Sequence, residues 1–177
     1  MDVNYQDNSA MIKGQGEQWL TDFTSKLRAE LPTHLIVHTV NAGYFVGQPI
    51  FSKGAYVTVH SNVGSIIDFY NVQYFKQANS VYNSYHTLFV LSSGWAVGTS
   101  VNELISKGIP ADKIVVGKPA TIRDADSSSY IDSIALRDAI ANEYASSGWK
   151  TGVMLYEFAS DINGTILATV VSSISNI

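Results

Sequence analysis

The stretch DFYNVQYF, residues 68–75, carries the strongest structural signal in this chain. It is rich in β-branched and aromatic residues, which predicts a strand. Side chains alternate along a strand, so Gln73 shares a face with Asn71 and Phe75, while Tyr74 points the other way. A polar side chain inside an apolar strand needs hydrogen-bond partners, and this predicts a pocket role for Gln73. We expect Tyr74 to lie in the core.

Further strand-like runs lie on both sides of this stretch. Several lack the polar alternation of a half-exposed strand, which is typical of parallel strands buried on both faces. The predicted strands are DVNYQ at 2–6, HLIVHTVNA at 34–42, DKIVVGKPA at 112–120 and TGVMLYEFA at 151–159, and a further apolar run, HTLFVLSS, occupies 86–93.

Helical patterns separate these runs. In residues 16–31 the apolar positions follow the period of an amphipathic helix, which Pro32 stops. Ser100 and Glu103 have the spacing of a capping box, and they predict a short helix over 99–109. Helices are also predicted at 62–67, 131–147 and 164–177.

Strands and helices therefore alternate along the whole chain. This order predicts parallel strands joined by crossover helices, and hence an α/β fold, either a barrel or an open sheet. No repeat or linker interrupts the pattern, so residues 1–177 are predicted to form a single domain.

The composition narrows the classes of function. The 177 residues are 46% hydrophobic and 15% charged, as in a globular protein, and the net charge is −4 without a cluster of Lys or Arg. We therefore expect neither a nucleic-acid nor an anionic-membrane partner. There is no cysteine, and the four histidines lack the spacing of metal ligands, so neither metal nor cofactor is predicted. Neither a membrane span nor a signal peptide is evident, which leaves the compartment open.

Segments in the same order resemble the later part of the glycoside hydrolase family 18, or chitinase-type, barrel. DVNYQ at 2–6 overlays the last five positions of the family motif Asp-Gly-x-Asp-x-Asp-x-Glu, and HTVNAGYF at 38–45 is similar to the fifth-strand segment. IDFYNVQYF at 67–75 is close to the sixth-strand pattern, Asp-[Phe/Tyr]-x-Asn-Val-Gln-x-Tyr. KIVVGKPA at 113–120 and GVMLYEF at 152–158 match the seventh and eighth strands in type and spacing.

The resemblance implies a catalytic site whose residues are replaced here. In the family, the motif's Glu protonates the leaving oxygen, and an Asp two positions earlier stabilises the acetamido group of the substrate. Gln6 and Asn4 stand at these positions, and Asp2 at the preceding Asp. Phe75 replaces a tyrosine and Tyr156 a tryptophan. The common fifth-strand proline is also replaced, by Gly43.

These replacements favour an inactive, chitinase-like protein that binds chitin or N-acetylglucosamine oligosaccharides. The binding residues implied by the resemblance and by strand position are Asn41, Tyr44, Asn71, Gln73, Phe75 and Tyr156, with Trp95 as a further aromatic candidate. Two alternatives stay open. The chain could be an active family 18 glycosidase carrying acid-to-amide mutations, or a scaffold for protein interactions without a sugar site.

The length predicts an incomplete barrel. A closed barrel of this type takes about 250 residues, and the resemblance covers strands four to eight. Five parallel strands would leave two sheet edges exposed. The sequence leaves open whether the chain is a fragment or whether a homodimer covers the open edges.

Overall fold

A parallel sheet of five strands, in the order β1-β2-β3-β4-β5, forms the centre of the computed structural model. The structure describes residues 1–77, 82–125 and 129–172. The strands are β1 (Asp2–Val3), β2 (Val37–Asn41), β3 (Phe69–Gln73), β4 (Ile114–Pro119) and β5 (Gly152–Tyr156). Each strand pairs in parallel with the next along the chain, as the alternating sequence pattern predicts.

The helices are α1 (Asn8–Ile12), α2 (Gly16–Glu30), α3 (Ala55–Val63), α4 (Val101–Ser106), α5 (Ser133–Ser146) and α6 (Thr165–Val171). Helices α1 to α5 lie between consecutive strands, and α6 follows β5. The last predicted helix, 164–177, includes residues 173–177, which lie outside the described ones. In the described segments, no helix has both the length and the apolar character to cross a bilayer.

The short helix predicted at 62–67 is placed wrongly. The helix is α3, which begins at Ala55 after Gly54, a residue in the left-handed region (φ +87°), and a 3₁₀ turn over Gly64–Ile66 follows. Its sequence, AYVTVHSNV, contains three valines and a threonine, which have low helix propensity. Packing of Tyr56, Val59 and Val63 into the core, where each is at most 5% exposed, therefore stabilises a helix that local propensity hides.

The apolar run at 86–93 is not a strand of the sheet. Residues His86–Val90 form a single π-helical turn, and the fully buried side chains of Leu88 and Phe89 place it against the core. A short apolar run fits a buried strand and a buried helical turn equally well, since both require only apolar contact.

The two faces of the sheet differ in their surroundings. Side chains of the covered face pack beneath the helices: His38 of β2 lies 3.1 Å from Thr24 of α2 and 3.1 Å from Tyr56 of α3. Lys118 of β4 is also fully buried on this face, and its ammonium donates to the carbonyls of Tyr74, Tyr82 and Ser129.

The opposite face, here called the open face, carries most of the polar strand residues. Register and alternation place on it Asp2, Asn4, Thr39, Asn41, Asn71, Gln73, Val115, Gly117, Met154 and Tyr156. Tyr74 points to the covered face and is fully buried, so its predicted core position is confirmed. The carboxyl end of the open face holds the candidate site.

Candidate functional site

Two adjoining cavities lie where the strands end. The amide pocket, about 460 Å³, is lined by Asn4, Gln6, Asn41, Gln73, Phe75, Lys76 and Tyr156. The aromatic pocket, about 440 Å³, is lined by Gln6, Asn8, Asn41, Gly43, Tyr44, Phe51, Gln77 and Trp95. Gln6 and Asn41 belong to both linings and separate the two spaces. Parallel strands bring these residues together because all their carboxyl ends meet at one edge.

Side-chain amides form the floor of the amide pocket. The Gln6 Nε2 atom donates to Asn4 Oδ1 at 2.8 Å and to Gln73 Oε1 at 3.0 Å. A primary amide has two N–H donors, so both of those on Gln6 are engaged and its Oε1 remains as an acceptor. Gln73 is held from the other side, because its carbonyl accepts from the Gln77 side chain.

Asn41 has an unmatched acceptor. Its Oδ1 atom is buried and has no hydrogen-bond partner among the described residues. A buried oxygen of this kind costs free energy until a donor reaches it. Because Asn41 lines both pockets, a ligand carrying an N–H or O–H group in either of them could supply the donor.

Asp2 and Asn71 lie on the open face but line neither cavity. The Thr39 hydroxyl is 2.9 and 2.8 Å from the two carboxylate oxygens of Asp2, and Asn71 Nδ2 donates to the same hydroxyl at 3.3 Å. These three side chains form a polar layer of their own.

Phe75, Tyr156 and Lys76 form one wall of the amide pocket. The Phe75 and Tyr156 rings stack with centroids 5.1 Å apart and an interplanar angle of 26°. Phe75 is only 2% exposed, so Tyr156 offers the more accessible ring. The Lys76 ammonium lies 4.2 Å from the centroid of the Tyr156 ring and donates to its hydroxyl at 3.1 Å. Such a cation–π contact fixes the position of the charge.

Aromatic side chains line the second pocket. Tyr44 packs between Tyr56 and Phe51, and burial raises the pKa of its phenol to about 12. The Trp95 ring, which belongs to the loop after β3, covers Gly43. A Cβ atom at Gly43 would lie 2.7 Å from two carbons of that ring. The absence of a side chain at this position therefore allows the close approach of Trp95.

Among the residues that the structure describes, none that lines either pocket carries a carboxyl group. The titratable side chains of the amide pocket are Lys76 and Tyr156, and that of the aromatic pocket is Tyr44. Glu157, which directly follows β5, is exposed and lines neither pocket. Residues 1–77, 82–125 and 129–172 contain no group of three or more His, Asp or Glu side chains that could hold a metal ion.

Sequence reasoning missed several lining residues. Lys76 and Gln77 directly follow the predicted strand 68–75, and Asn8 follows 2–6, so extending each strand by two residues would have found them. Phe51 offers no such signal, because it comes from a loop whose course depends on packing against Tyr44.

The chain is similar to solved structures of family 18 glycoside hydrolases. A GH18 chitinase from Pseudoalteromonas aurantia is 25% identical, with a TM-score of 0.78 over 97% of this chain and 60% of its own. A fungal endo-β-N-acetylglucosaminidase of the same family is 18% identical, with a TM-score of 0.65 over 96% of this chain and 54% of its own. The xylanase-A-amylase inhibitor protein XAIP-III is 16% identical, with a TM-score of 0.63 over 97% and 55%. No protein-family model matches the chain, and no curated protein matches it by sequence.

These neighbours confirm the predicted resemblance at the level of the fold. The parallel sheet and its helices correspond to part of the (β/α) barrel of GH18 chitinases, and the chain spans about 60% of the length of the Pseudoalteromonas aurantia protein. The chain therefore has a chitinase-like glycosidase fold, as a partial TIM-type barrel.

Proposed function

We propose that this chain is a chitinase-like protein that binds N-acetylglucosamine oligosaccharides in the amide pocket without hydrolysing them. One observation carries the proposal: the side chain at the resemblance-implied proton-donor position, Gln6, is an amide hydrogen-bonded to two other amides. Support for a chitin-type ligand comes from the GH18 chitinase neighbour at 25% identity.

The chemistry of the lining supports inactivity. Gln6 cannot release a proton near neutral pH, and a positioned general acid contributes a factor of about 10²–10⁴ to the rate. Asn4 carries no charge to stabilise a developing cation. The nearby carboxylate of Asp2 accepts hydrogen bonds from Thr39 and lies outside the lining, so it does not replace the missing acid.

The same lining suits a sugar. Gln6 Oε1 and Asn41 Oδ1 are acceptors for hydroxyl or acetamido N–H groups, and Asn4 offers N–H donors. Tyr156 offers an aromatic face for a pyranose ring, with Phe75 behind it. We assign sugar contact in the amide pocket to Asn41, Gln73 and Tyr156, with Phe75 behind the Tyr156 ring. Tyr44 would contact a sugar that extends into the aromatic pocket, and Asn71 lies outside both linings.

A homodimer that covers the open edges is part of the proposal. β1 and β5 each pair with one neighbour only, so both edges present unpaired backbone groups. Beside β5 lies an apolar cavity of about 500 Å³ lined in part by Val153, Leu155 and Phe158. A twofold axis parallel to the strands would place β1 of each copy beside β5 of the other in parallel, which closed symmetry permits.

The decisive experiment is calorimetric titration with chitotetraose, followed by product analysis of the same mixture. We expect heat of binding with the oligosaccharide left intact. Cleavage would contradict inactivity. If neither heat nor cleavage is seen, sugar binding fails and the scaffold alternative is favoured.

Restoring the two acids tests why the chain is inactive. We expect the double variant Asn4→Asp/Gln6→Glu to remain without measurable hydrolysis, because Phe75 still lacks the hydroxyl that the resemblance places there. Strong recovery of hydrolysis would favour the alternative of an active glycosidase with two acid-to-amide changes.

A further inference from the structure

The charge of the amide pocket points to a narrower class of ligand. We propose that the pocket prefers acidic oligosaccharides, in which an N-acetylated sugar is joined to one carrying an anionic group, and that Lys76 binds that group. This inference rests on the proposed function, because it specifies the ligand of the same pocket.

The first step is the charge balance of the lining. Of its seven residues, Lys76 alone is charged at neutral pH, and the two positions where the family resemblance implies acids carry the neutral Asn4 and Gln6. The amides therefore remove two charges that would repel an anion. Lys76 therefore gives the lining of the amide pocket a net positive charge.

One carboxylate, that of Asp124, interacts with this charge: the hydrogen bond from the Thr121 hydroxyl and, to a smaller extent, the Lys76 charge hold the pKa of Asp124 below its usual value. No ion pair involves Lys76 within residues 1–77, 82–125 and 129–172. Asp2 accepts from Thr39, and Asp124 accepts from Thr121 and Ser160. Both carboxylates lie outside the lining.

The second step is the position of the ammonium. Lys76 follows β3 in a left-handed backbone conformation (φ +53°), which is uncommon for a residue with a side chain. Its Nζ atom lies 4.2 Å from the centroid of the Tyr156 ring and donates to the hydroxyl of that residue. One N–H is thus engaged, and an ammonium has two more to offer to an anion beside the ring.

The third step is the unmatched acceptor across the pocket. Asn41 Oδ1 is buried without a partner in the described part of the chain, and it requires a donor. An acetamido N–H or a hydroxyl meets that need, whereas an anionic group does not. The pocket therefore combines an acceptor for a neutral sugar with a cation for a charged one.

The experiment compares three probes by calorimetry in low and high salt. They are chitotetraose, a tetrasaccharide of alternating N-acetylglucosamine and glucuronate, and 6-O-sulfated chitotetraose. We expect at least one acidic probe to bind about 3- to 5-fold more tightly than chitotetraose in low salt, which is the size of a solvent-exposed ion pair. The preference should fall in high salt because of screening. The two acidic probes show whether a carboxylate or a sulfate is the better anion.

Two variants assign the effect to one residue. Lys76→Met should abolish the preference, so that the acidic probes bind this variant no more tightly than chitotetraose does, because the ammonium that would pair with the anion is removed while an unbranched apolar side chain is kept. The matched control is Lys150→Met, an exposed lysine before the amino end of β5, at the opposite end of the sheet. It should retain the preference, and thermal unfolding of both variants checks their fold.

The outcomes separate this inference from the proposed function. Equal or tighter binding of chitotetraose overturns the inference and leaves the proposed function standing. A preference that survives in Lys76→Met overturns the role of Lys76. If none of the three probes binds, the proposed function and the inference both fail.

Discussion

At the scale of single residues, the floor of the amide pocket depends on one amide pair. Gln73 Oε1 accepts from Gln6 Nε2 at 3.0 Å, and the Gln77 side chain holds the Gln73 backbone. The direction of the Gln6 side chain is therefore fixed partly by Gln73. An acceptor at Gln73 should be needed for the pocket to keep its shape.

We predict that Gln73→Leu weakens chitotetraose binding about 5- to 10-fold, because the leucine cannot accept from Gln6 and leaves one of its N–H groups unpaired. Calorimetry measures the loss. Asn71→Leu, which changes the neighbouring polar layer outside the lining, serves as the control, with a change of less than about threefold. An unchanged affinity in Gln73→Leu would count against the assigned site.

A buried histidine links stability to pH. His38 is fully buried between Thr24 and Tyr56, and burial lowers its pKa from 6.5 to about 4. Below pH 6.5 the unfolded chain therefore binds a proton that the folded chain does not bind until about pH 4. The titration of His38 therefore leaves the stability of the fold unchanged above pH 6.5 and lowers it as the pH falls from 6.5 towards 4.

We predict that this histidine lowers the free energy of unfolding by about 3 kcal/mol between pH 6.5 and pH 4. His38→Gln should flatten the slope by up to about 1.4 kcal/mol per pH unit. Urea unfolding across this range measures it, and His34→Gln, at an exposed histidine, should keep the slope. His60, whose pKa is also lowered by burial, adds to the residual slope. An unaltered slope in His38→Gln would contradict the assignment.

At the scale of elements, a single carboxylate ties the loop after β3 to the start of α4. Ser100 and Glu103 form the predicted capping box, which is confirmed. Glu103 Oε2 also accepts from the backbone and hydroxyl of Ser92, at 2.9 and 2.5 Å. These hydrogen bonds to the charged form hold the pKa of Glu103 below its usual range, although burial opposes them. The same loop carries Trp95, which covers the aromatic pocket.

We predict that Glu103→Gln lowers the free energy of unfolding by about 1–2 kcal/mol, because hydrogen bonds to a charged acceptor are stronger than those to an amide. Chemical denaturation at pH 7 measures the change. Glu30→Gln is the control: this residue forms an exposed ion pair with Lys26, and its loss should cost less than about 0.5 kcal/mol. Equal effects of the two changes would argue against the role of Glu103.

At the scale of the whole molecule, the surface beside β5 is unusually apolar. Phe158 is 93% exposed and Leu167 43% exposed, and both line the cavity next to this edge strand. Large apolar side chains exposed together often mark an interface. In the proposed dimer, β1 of the second copy would cover them.

We predict a dimer at micromolar concentration, and a shift towards monomer in Phe158→Ser, because the exposed ring is lost from the interface. Sedimentation velocity measures both. Ile134→Ser removes a 56% exposed side chain from α5 that does not line this cavity, and should leave the dimer intact. A wild-type chain that sediments as a monomer would rule out the dimer.

Several features followed from the sequence alone. Alternation of apolar runs with helical patterns predicted the parallel sheet, because parallel strands need a long crossover connection, which is usually a helix. Alternation within 68–75 predicted that Gln73 and Tyr74 face opposite ways, since the period of a strand is two residues. The capping box of Ser100 and Glu103 is a local interaction between residues three apart, so the sequence alone also predicted it.

Tertiary structure decided the rest, because the deciding contacts join residues far apart in the chain. Local propensity hid α3, which is stabilised by burial of its valines and Tyr56. Asp2 is held by Thr39, 37 residues away, so it does not line the pocket. The Lys76 ammonium owes its position to Tyr156, 80 residues away. The sequence thus determined which strands end together, and packing determined which side chains share the space at those ends.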